Sequence, residues 1–289
     1  MVLFVWPATR AIVGEISRGG GKEPRKKELC VHGLVRYETE SGVARIVLDH
    51  PQSRNALSDA MLDDLIEAFT LSKADPDARV AVLTSGHPSV FSAGGDLKHF
   101  ADQTSATAKY ANLDRYPRLC MLIGALGKPV ICAANGHVLA GSVGLALSCD
   151  LIVASESARF GCPEINVGLF PFMVSAILGR NIGRLKANEL MMLGDSITAT
   201  QAAEIGLVNR VVPDEEFDGA VSDWADRLAQ KSPLMLKLGK DAMNTTRDSG
   251  LGEALEMLRG QLALALTAPD VIEGITAFQE KRQPQWAMH

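Results

Sequence analysis

From Leu29 to Pro213 short apolar runs of strand length alternate with helical patterns, and beyond Pro213 the strand patterns stop. This switch constrains the fold more than any other feature of the chain. "LVRYETE" and "VARIVLDH" flank a Ser41-Gly42 turn and read as paired strands. Ser58 stands as an N-cap before "DAMLDDLIEAFTLSK", where Met61, Leu62, Leu65, Ile66 and Phe69 recur at helical spacing. "RVAVLTS", "KPVICAAN" and "DLIVASE" read as further strands, and "SVGLALSC" as a helix. A loop, "VFSAGGDLKHF", leads into a helical region that reaches "LIGAL". Repeated β-β-α units predict an α/β protein with its function at strand ends. After Pro213 come four helical patterns, "EEFDGAVSDWADRLAQKS", "PLMLKLGKDAMNTT", "LGEALEMLRGQLALALT" and "PDVIEGITAFQEKR", with no strand between them. They read as a helical appendage whose apolar faces a neighbouring subunit would cover. The expected organisation is an N-terminal extension over 1–28, a core over 29–212 and a helical region over 213–289.

With 289 residues, 47% of them apolar, the chain can bury a core without cross-links. The net charge of −5 argues against nucleic acid as the partner, while leaving room for a local basic patch on a phosphorylated ligand. Its five cysteines form no C-x-x-C pair, which points to a reducing compartment, the cytoplasm. Pro7 and Arg10 interrupt "MVLFVWPATRAIVG" long before the length of a membrane span, so no membrane insertion is expected. No basic residue precedes that apolar run, as a signal peptide would require. A transit segment, and with it the mitochondrial matrix, is the alternative, because basic residues outnumber acidic ones before Lys27.

The stretch "ANGHVLAGSVGLALSCD" sets a trap, since "AGSVG" is close to the G-x-S-x-G elbow of serine hydrolases. That fold needs a histidine after the serine. Only His289, the last residue, follows Ser142. A chain terminus is a poor place for a general base, so Ser142 reads as a small residue at a helix start. Glycine has another use at such a turn, which is to expose main-chain N–H groups. Gly141 lies where a strand gives way to a helix. Ala93, Gly94 and Gly95 in "FSAGGDLKHF" have the same design. Two such loops brought together would offer two N–H donors to one oxygen, an oxyanion hole.

Six blocks in order, "SRNAL", "FSAGGDLK", "KPVICAANGHVLAGSVGLALSCD", "ARFGCPEINVGLFP", "AAEIGLVNRVVP" and "EGITAFQEKRQPQW", resemble the enoyl-CoA hydratase/isomerase (crotonase) family from Val31 to Trp286. The resemblance implies a crotonase-like spiral of β-β-α units with a C-terminal helical trimerisation region, assembled as a homotrimer or a dimer of trimers. It implies an acyl-CoA thioester as substrate, so that coenzyme A arrives with the substrate, and neither a separate cofactor nor a metal is expected. Carried over by position, the oxyanion hole falls on the N–H groups of Gly95 and Gly141, and the acid/base on Glu164. Arg54, Ala56 and the segment Gly95, Asp96, Leu97 and Lys98 match positions that contact CoA. Phe278 and Lys281 match positions that reach toward a neighbour's CoA. A solvated surface charge is the alternative for Arg54 and Lys281.

One departure matters. Hydratases of that family carry two glutamates, and the position of the second is Gly144 here. Hydration needs a water held between two carboxylates, whereas moving a proton along a 3-enoyl thioester needs only one base. Isomerisation by Glu164 is therefore the leading expectation. Hydration of low activity, decarboxylation or thioester hydrolysis on the same oxyanion hole, and a non-catalytic acyl-CoA binding protein remain open. Gly144→Glu is expected to raise hydration, provided that the side chain fits. His137 reads as a lining residue or an extra acid/base, Asp96 as a helix cap, and Cys162 as an unactivated thiol. Apolar neighbours of Glu164, among them Phe160, Ile165 and Phe170, are expected to raise its pKa. Phe170, Phe172 and Met173 either narrow the acyl pocket or pack in the core.

Overall fold

The apolar runs build a seven-stranded sheet in the computed structural model, which describes residues 27–31, 33–97 and 104–287. Residues 1–26 of the expected extension, and Lys98, lie outside the described residues. β1 (Lys27–Val31), β2 (Val35–Glu40) and β3 (Val43–Leu48) pair antiparallel. β4 (Val80–Ser85), β6 (Val130–Ala134), β8 (Leu151–Ser155) and β11 (Arg210–Val212) continue the sheet in parallel. β1 begins at Lys27, two residues inside the stretch read as extension. The second sheet is small, in the order β10-β9-β7-β5: β5 (Val90–Ser92), β7 (His137–Leu139), β9 (Arg159–Gly161) and β10 (Ser196–Thr198). Here β5, β7 and β9 run parallel, while β10 is antiparallel to β9.

Eleven helices are described: α1 (Asp59–Ala74), α2 (Ala106–Asn112), α3 (Arg115–Gly124), α4 (Gly141–Leu147), α5 (Phe172–Asn181), α6 (Arg184–Leu193), α7 (Ala199–Glu204), α8 (Phe217–Ala229), α9 (Pro233–Thr246), α10 (Leu251–Ala265) and α11 (Pro269–Glu280). Ser58 caps α1 by accepting from the Met61 N–H, as its place before the helical pattern predicts. Each central strand is buried on both faces. On β4, Ala81 and Leu83 join Leu65 and Phe69 of α1 in the main core. Val80 and Val82 point the other way, onto Phe217, Ala220, Val221 and Ala225 of α8. Each such apolar side chain, fully buried, stabilises the fold by about 1.5–3 kcal/mol.

This second core corrects the reading of the tail as one appendage. The first of its four helices closes the back of the sheet, so its apolar face is covered within the chain itself. A buried ion pair anchors the next one: Lys240 on α9 is 4% exposed and donates to Asp150 Oδ2 at 2.7 Å and to the Lys128 carbonyl at 3.0 Å. Asp150 also accepts from the Val130 N–H, at the start of β6. Lys240→Met is expected to cost about 3 kcal/mol, the low end for breaking a buried pair because Asp150 keeps its main-chain partner. Denaturant unfolding measures it. Among the described residues no helix is long and apolar enough to cross a membrane.

Candidate active site

The three parallel strands of the small sheet deliver the three residues on which the sequence reading rests. Gly95 follows β5, Gly141 follows β7 and Glu164 follows β9, each within three residues of the strand end. Because the strands are parallel neighbours, their carboxyl ends lie side by side. The two glycine loops touch: a Cβ built on Gly141 would lie 3.8 Å from the Gly95 nitrogen. Gly94 makes this approach feasible. Its φ is +85°, and a Cβ there would stand 2.4 Å from the Ala140 Cβ and 2.6 Å from the Leu139 carbonyl. Ala140 itself is held at φ +54°, turning the chain so that α4 starts at Gly141.

Ser142 is fully buried, and its Oγ lies within hydrogen-bond distance of the carbonyls of Leu139 (2.7 Å) and Ser92 (3.0 Å), to which it donates. It ties the two loops together and is not available as a nucleophile, as the chain order required.

The segment from Arg54 to Leu57 runs along the Gly94–Gly95 loop. The Leu57 N–H donates to the Gly94 carbonyl at 2.7 Å, and the Ala93 N–H donates to that of Arg54 at 3.0 Å. Leu57 and Gly95 form a parallel bridge. Asn55 anchors this segment from below. Fully buried, it donates to Ser85 Oγ and the Phe91 carbonyl and accepts from the His50 N–H. Arg54 and Asn55 both have left-handed backbones, a conformation that asparagine tolerates well. Arg54 and Leu97 are exposed, and Ala56 and Asp96 half-buried, beside the paired loops. Phe278, 85% exposed, and Lys281 lie at the end of α11. Their helix bonds to Ser232 and to the C-terminal segment through Gln285 and Ala287.

Glu164 stands in a short 3-10 turn, Pro163–Val167. Its Oε2 is buried without a hydrogen-bond partner. Burial raises its pKa above the ordinary carboxylate value, and a main-chain hydrogen bond opposes only part of that. Phe160 is buried, but Ile165 points outward. The groups that sense the carboxylate are Cys162 and Tyr116. Burial, with Glu164 adding to it, pushes the Cys162 thiol up to about 12, so this cysteine is inert as a nucleophile. His137 on β7 has a buried Nδ1 without a partner. Phe170 and Phe172 meet edge to face at 5.4 Å, and Phe172 is 73% exposed, which rules out core packing for that ring. Among the described residues no cluster of His, Cys, Asp and Glu suits a metal ion.

Tyr116, which no pattern in the sequence singles out, is the unexpected member of this group. It lies on α3, with its ring edge 3.8 Å from a Cβ built on Gly141, and its hydroxyl donates to the Gly141 carbonyl at 2.6 Å. A Cβ at Gly144 would come within 2.3 Å of that hydroxyl. The proviso on Gly144→Glu therefore fails, because the side chain has no room while Tyr116 stays in place.

Comparison with known proteins gives the same picture. The family model for enoyl-CoA hydratase/isomerase matches residues 38–289. The 2,3-dehydroadipyl-CoA hydratase of Escherichia coli is 36% identical over 245 residues, which is 84% of this chain and 94% of that protein. A probable mitochondrial enoyl-CoA hydratase of Dictyostelium discoideum is 36% identical over 86% of this chain and 89% of its own length. Among solved structures, an enoyl-CoA hydratase of Mycobacterium smegmatis superposes with a TM-score of 0.84 at 33% identity, covering 88% of this chain and 98% of that one. Human enoyl coenzyme A hydratase domain-containing protein 3 gives 0.84 at 32% identity, with 88% and 100% covered. Its spiral, its paired glycine loops and these relatives agree: the chain belongs to the enoyl-CoA hydratase/isomerase (crotonase) family and is an acyl-CoA enzyme of that family.

Proposed function

We propose that this enzyme shifts a double bond along a CoA-linked acyl chain, from the 3-enoyl to the 2-enoyl thioester. Glu164 serves as its single acid/base, and the N–H groups of Gly95 and Gly141 as oxyanion donors. The observation that carries this reading is that the adjacent, parallel β5, β7 and β9 end beside two glycine amides and a carboxylate whose Oε2 is buried without a partner, with Gly144 where a second carboxylate would stand.

The ionised Glu164 removes a proton from C2. The C–H electron pair flows toward the thioester oxygen and leaves a dienolate, whose negative oxygen the two amides hold. Protonated Glu164 then returns the proton at C4. The C2–C3 double bond forms, the carbonyl is restored, and nothing is consumed. Each oxyanion donor contributes about 2.7–4 kcal/mol to such a step, and general base catalysis adds about 10²–10⁴-fold. A raised carboxyl pKa suits Glu164 to both taking and giving the proton.

Arg54, Ala56 and Gly95 to Leu97 lie beside the paired loops and would receive the CoA moiety, with Lys98, the next residue of that segment, joining them. Phe278 and Lys281 would serve a neighbouring subunit's CoA in a homotrimer or dimer of trimers. Exposed Leu251, Leu255 and Leu262 on α10, and Ile272 and Ile275 on α11, support an apolar interface there.

Relatives named hydratases favour a second reading, addition of water to a 2-enoyl-CoA. Incubation with 3-enoyl-CoA and 2-enoyl-CoA, followed by mass analysis of products, separates the two. Isomerisation is expected to outpace hydration by about tenfold or more, on a particle that sediments as three chains or six. A dominant 3-hydroxyacyl product would make the protein a hydratase, and binding without any turnover a carrier of acyl-CoA.

A further inference from the structure

The volume beside Gly144 is filled and fixed. Three groups close it: the Tyr116 hydroxyl, 2.3 Å from where a Cβ on Gly144 would stand, and Ile177 Cδ1 and Val174 Cγ2, each at 3.4 Å. Tyr116 cannot simply swing aside. Its ring is 6% exposed in the main core, and its hydroxyl is bonded to the Gly141 carbonyl. Burial keeps this phenol protonated, well above its ordinary range, and Cys120, Cys162 and Glu164 add to the effect. It is therefore a neutral donor at every pH where the protein would work, and it is no base.

We propose that Tyr116 is the positioning and specificity-determining residue of the acyl site. Its hydroxyl stands in place of a side chain at 144, holds the Gly141 turn through that residue's carbonyl, and so favours proton transfer within the acyl chain over addition of water. The proposal rests on the reading of Gly95, Gly141 and Glu164 given above. Two consequences follow from the geometry. The space in which a second carboxylate would anchor water is occupied by a phenol whose one hydrogen is already committed. The turn presenting the Gly141 N–H is braced from α3, across 25 residues of chain.

Three variants of the full chain test it: Tyr116→Phe, Gly144→Glu, and Tyr116→Leu combined with Gly144→Glu. Tyr116→Phe keeps the ring and loses the brace, so isomerisation kcat is expected to fall about tenfold while KM stays within about twofold, the signature of weakened transition-state contacts. A purely structural role would lower the melting temperature and leave kcat of the folded protein alone. Gly144→Glu is expected to gain no hydration. The double variant, with the hydroxyl gone and apolar bulk retained, is expected to hydrate a 2-enoyl-CoA about tenfold faster than Gly144→Glu. An unchanged kcat in Tyr116→Phe overturns the brace, and equal hydration in the single and double Glu variants overturns the steric exclusion. If the double variant does not fold, Tyr116→Phe decides alone. A wild type that isomerises nothing, together with a hydration gain confined to the double variant, would remove the isomerase reading and leave Tyr116 in its role.

Discussion

Glu164→Gln is expected to lower turnover of a 3-enoyl-CoA by about 10²–10⁴-fold, while acyl-CoA binding changes little. The amide keeps the shape of the carboxylate but cannot take a proton from C2. Wild-type activity should fall as pH drops through the Glu164 pKa, which burial holds above the ordinary carboxylate value, because only the ionised form is a base. The stability effect runs the opposite way. A carboxyl whose folded pKa is raised favours the native state most below its unfolded pKa, and that contribution is lost as pH rises through the folded pKa. Near neutral pH the wild type therefore bears the cost of a buried charge whose Oε2 has no partner. The Gln variant should melt at or above the wild-type temperature there, and the gap should close in acid. Stopped-flow turnover, ligand titration and thermal unfolding on the same two proteins check all three statements. A variant that turns over normally would remove Glu164 from the mechanism.

Gly94→Ala is expected to damage the site from a residue that makes no contact with the reacting atoms. Alanine at φ +85° carries a backbone penalty of about 1–2 kcal/mol. Its Cβ would also need the space of the Ala140 Cβ, at 2.4 Å, and of the Leu139 carbonyl, at 2.6 Å; such overpacking costs about 1–3 kcal/mol more. The two loops must separate to relieve it, which would pull apart the Gly95 and Gly141 amides proposed to share one oxygen. Losing one oxyanion donor lowers kcat by about 10²–10³-fold, and a fall of that size is expected together with a lower melting temperature. Gly219→Ala on α8 is the control. Nothing lies within 4 Å of a Cβ there, so it should raise stability by about 0.5–1 kcal/mol, the ordinary gain of Ala over Gly in a helix. A Gly94→Ala enzyme with wild-type kcat would mean that the close approach of the loops has no part in catalysis.

These residues differ in how far the chain alone reveals them. Gly95 and Gly141 each sit just past a short strand, and glycine-rich strand-to-helix turns leave a mark in any local window, whereas Glu164 is singled out only by the family resemblance. Ser142 is separable from a nucleophile by the order of histidines alone, and its buried hydroxyl agrees. The role of α8 is not legible in the same way. An amphipathic helix after the last strand has the same pattern whether it covers a partner or its own sheet, and only the contact of Phe217 and Val221 with Val80 and Val82 decides. Asn55 is equally hidden, since its three hydrogen-bond partners come from different parts of the chain.

Local pattern therefore determined the α/β alternation, the helical tail and the two glycine turns, because strand and helix periodicity and glycine turns are properties of neighbouring residues, while the missing carboxylate at Gly144 came from the family resemblance. Tertiary structure alone decided what fills the gap that Gly144 leaves. Tyr116 is 28 positions away on another helix, and in sequence it is one more aromatic residue with core-like spacing. Its hydroxyl reaches the Gly141 carbonyl only because packing α3 against the main core puts it there, and long-range packing leaves no trace in a local window.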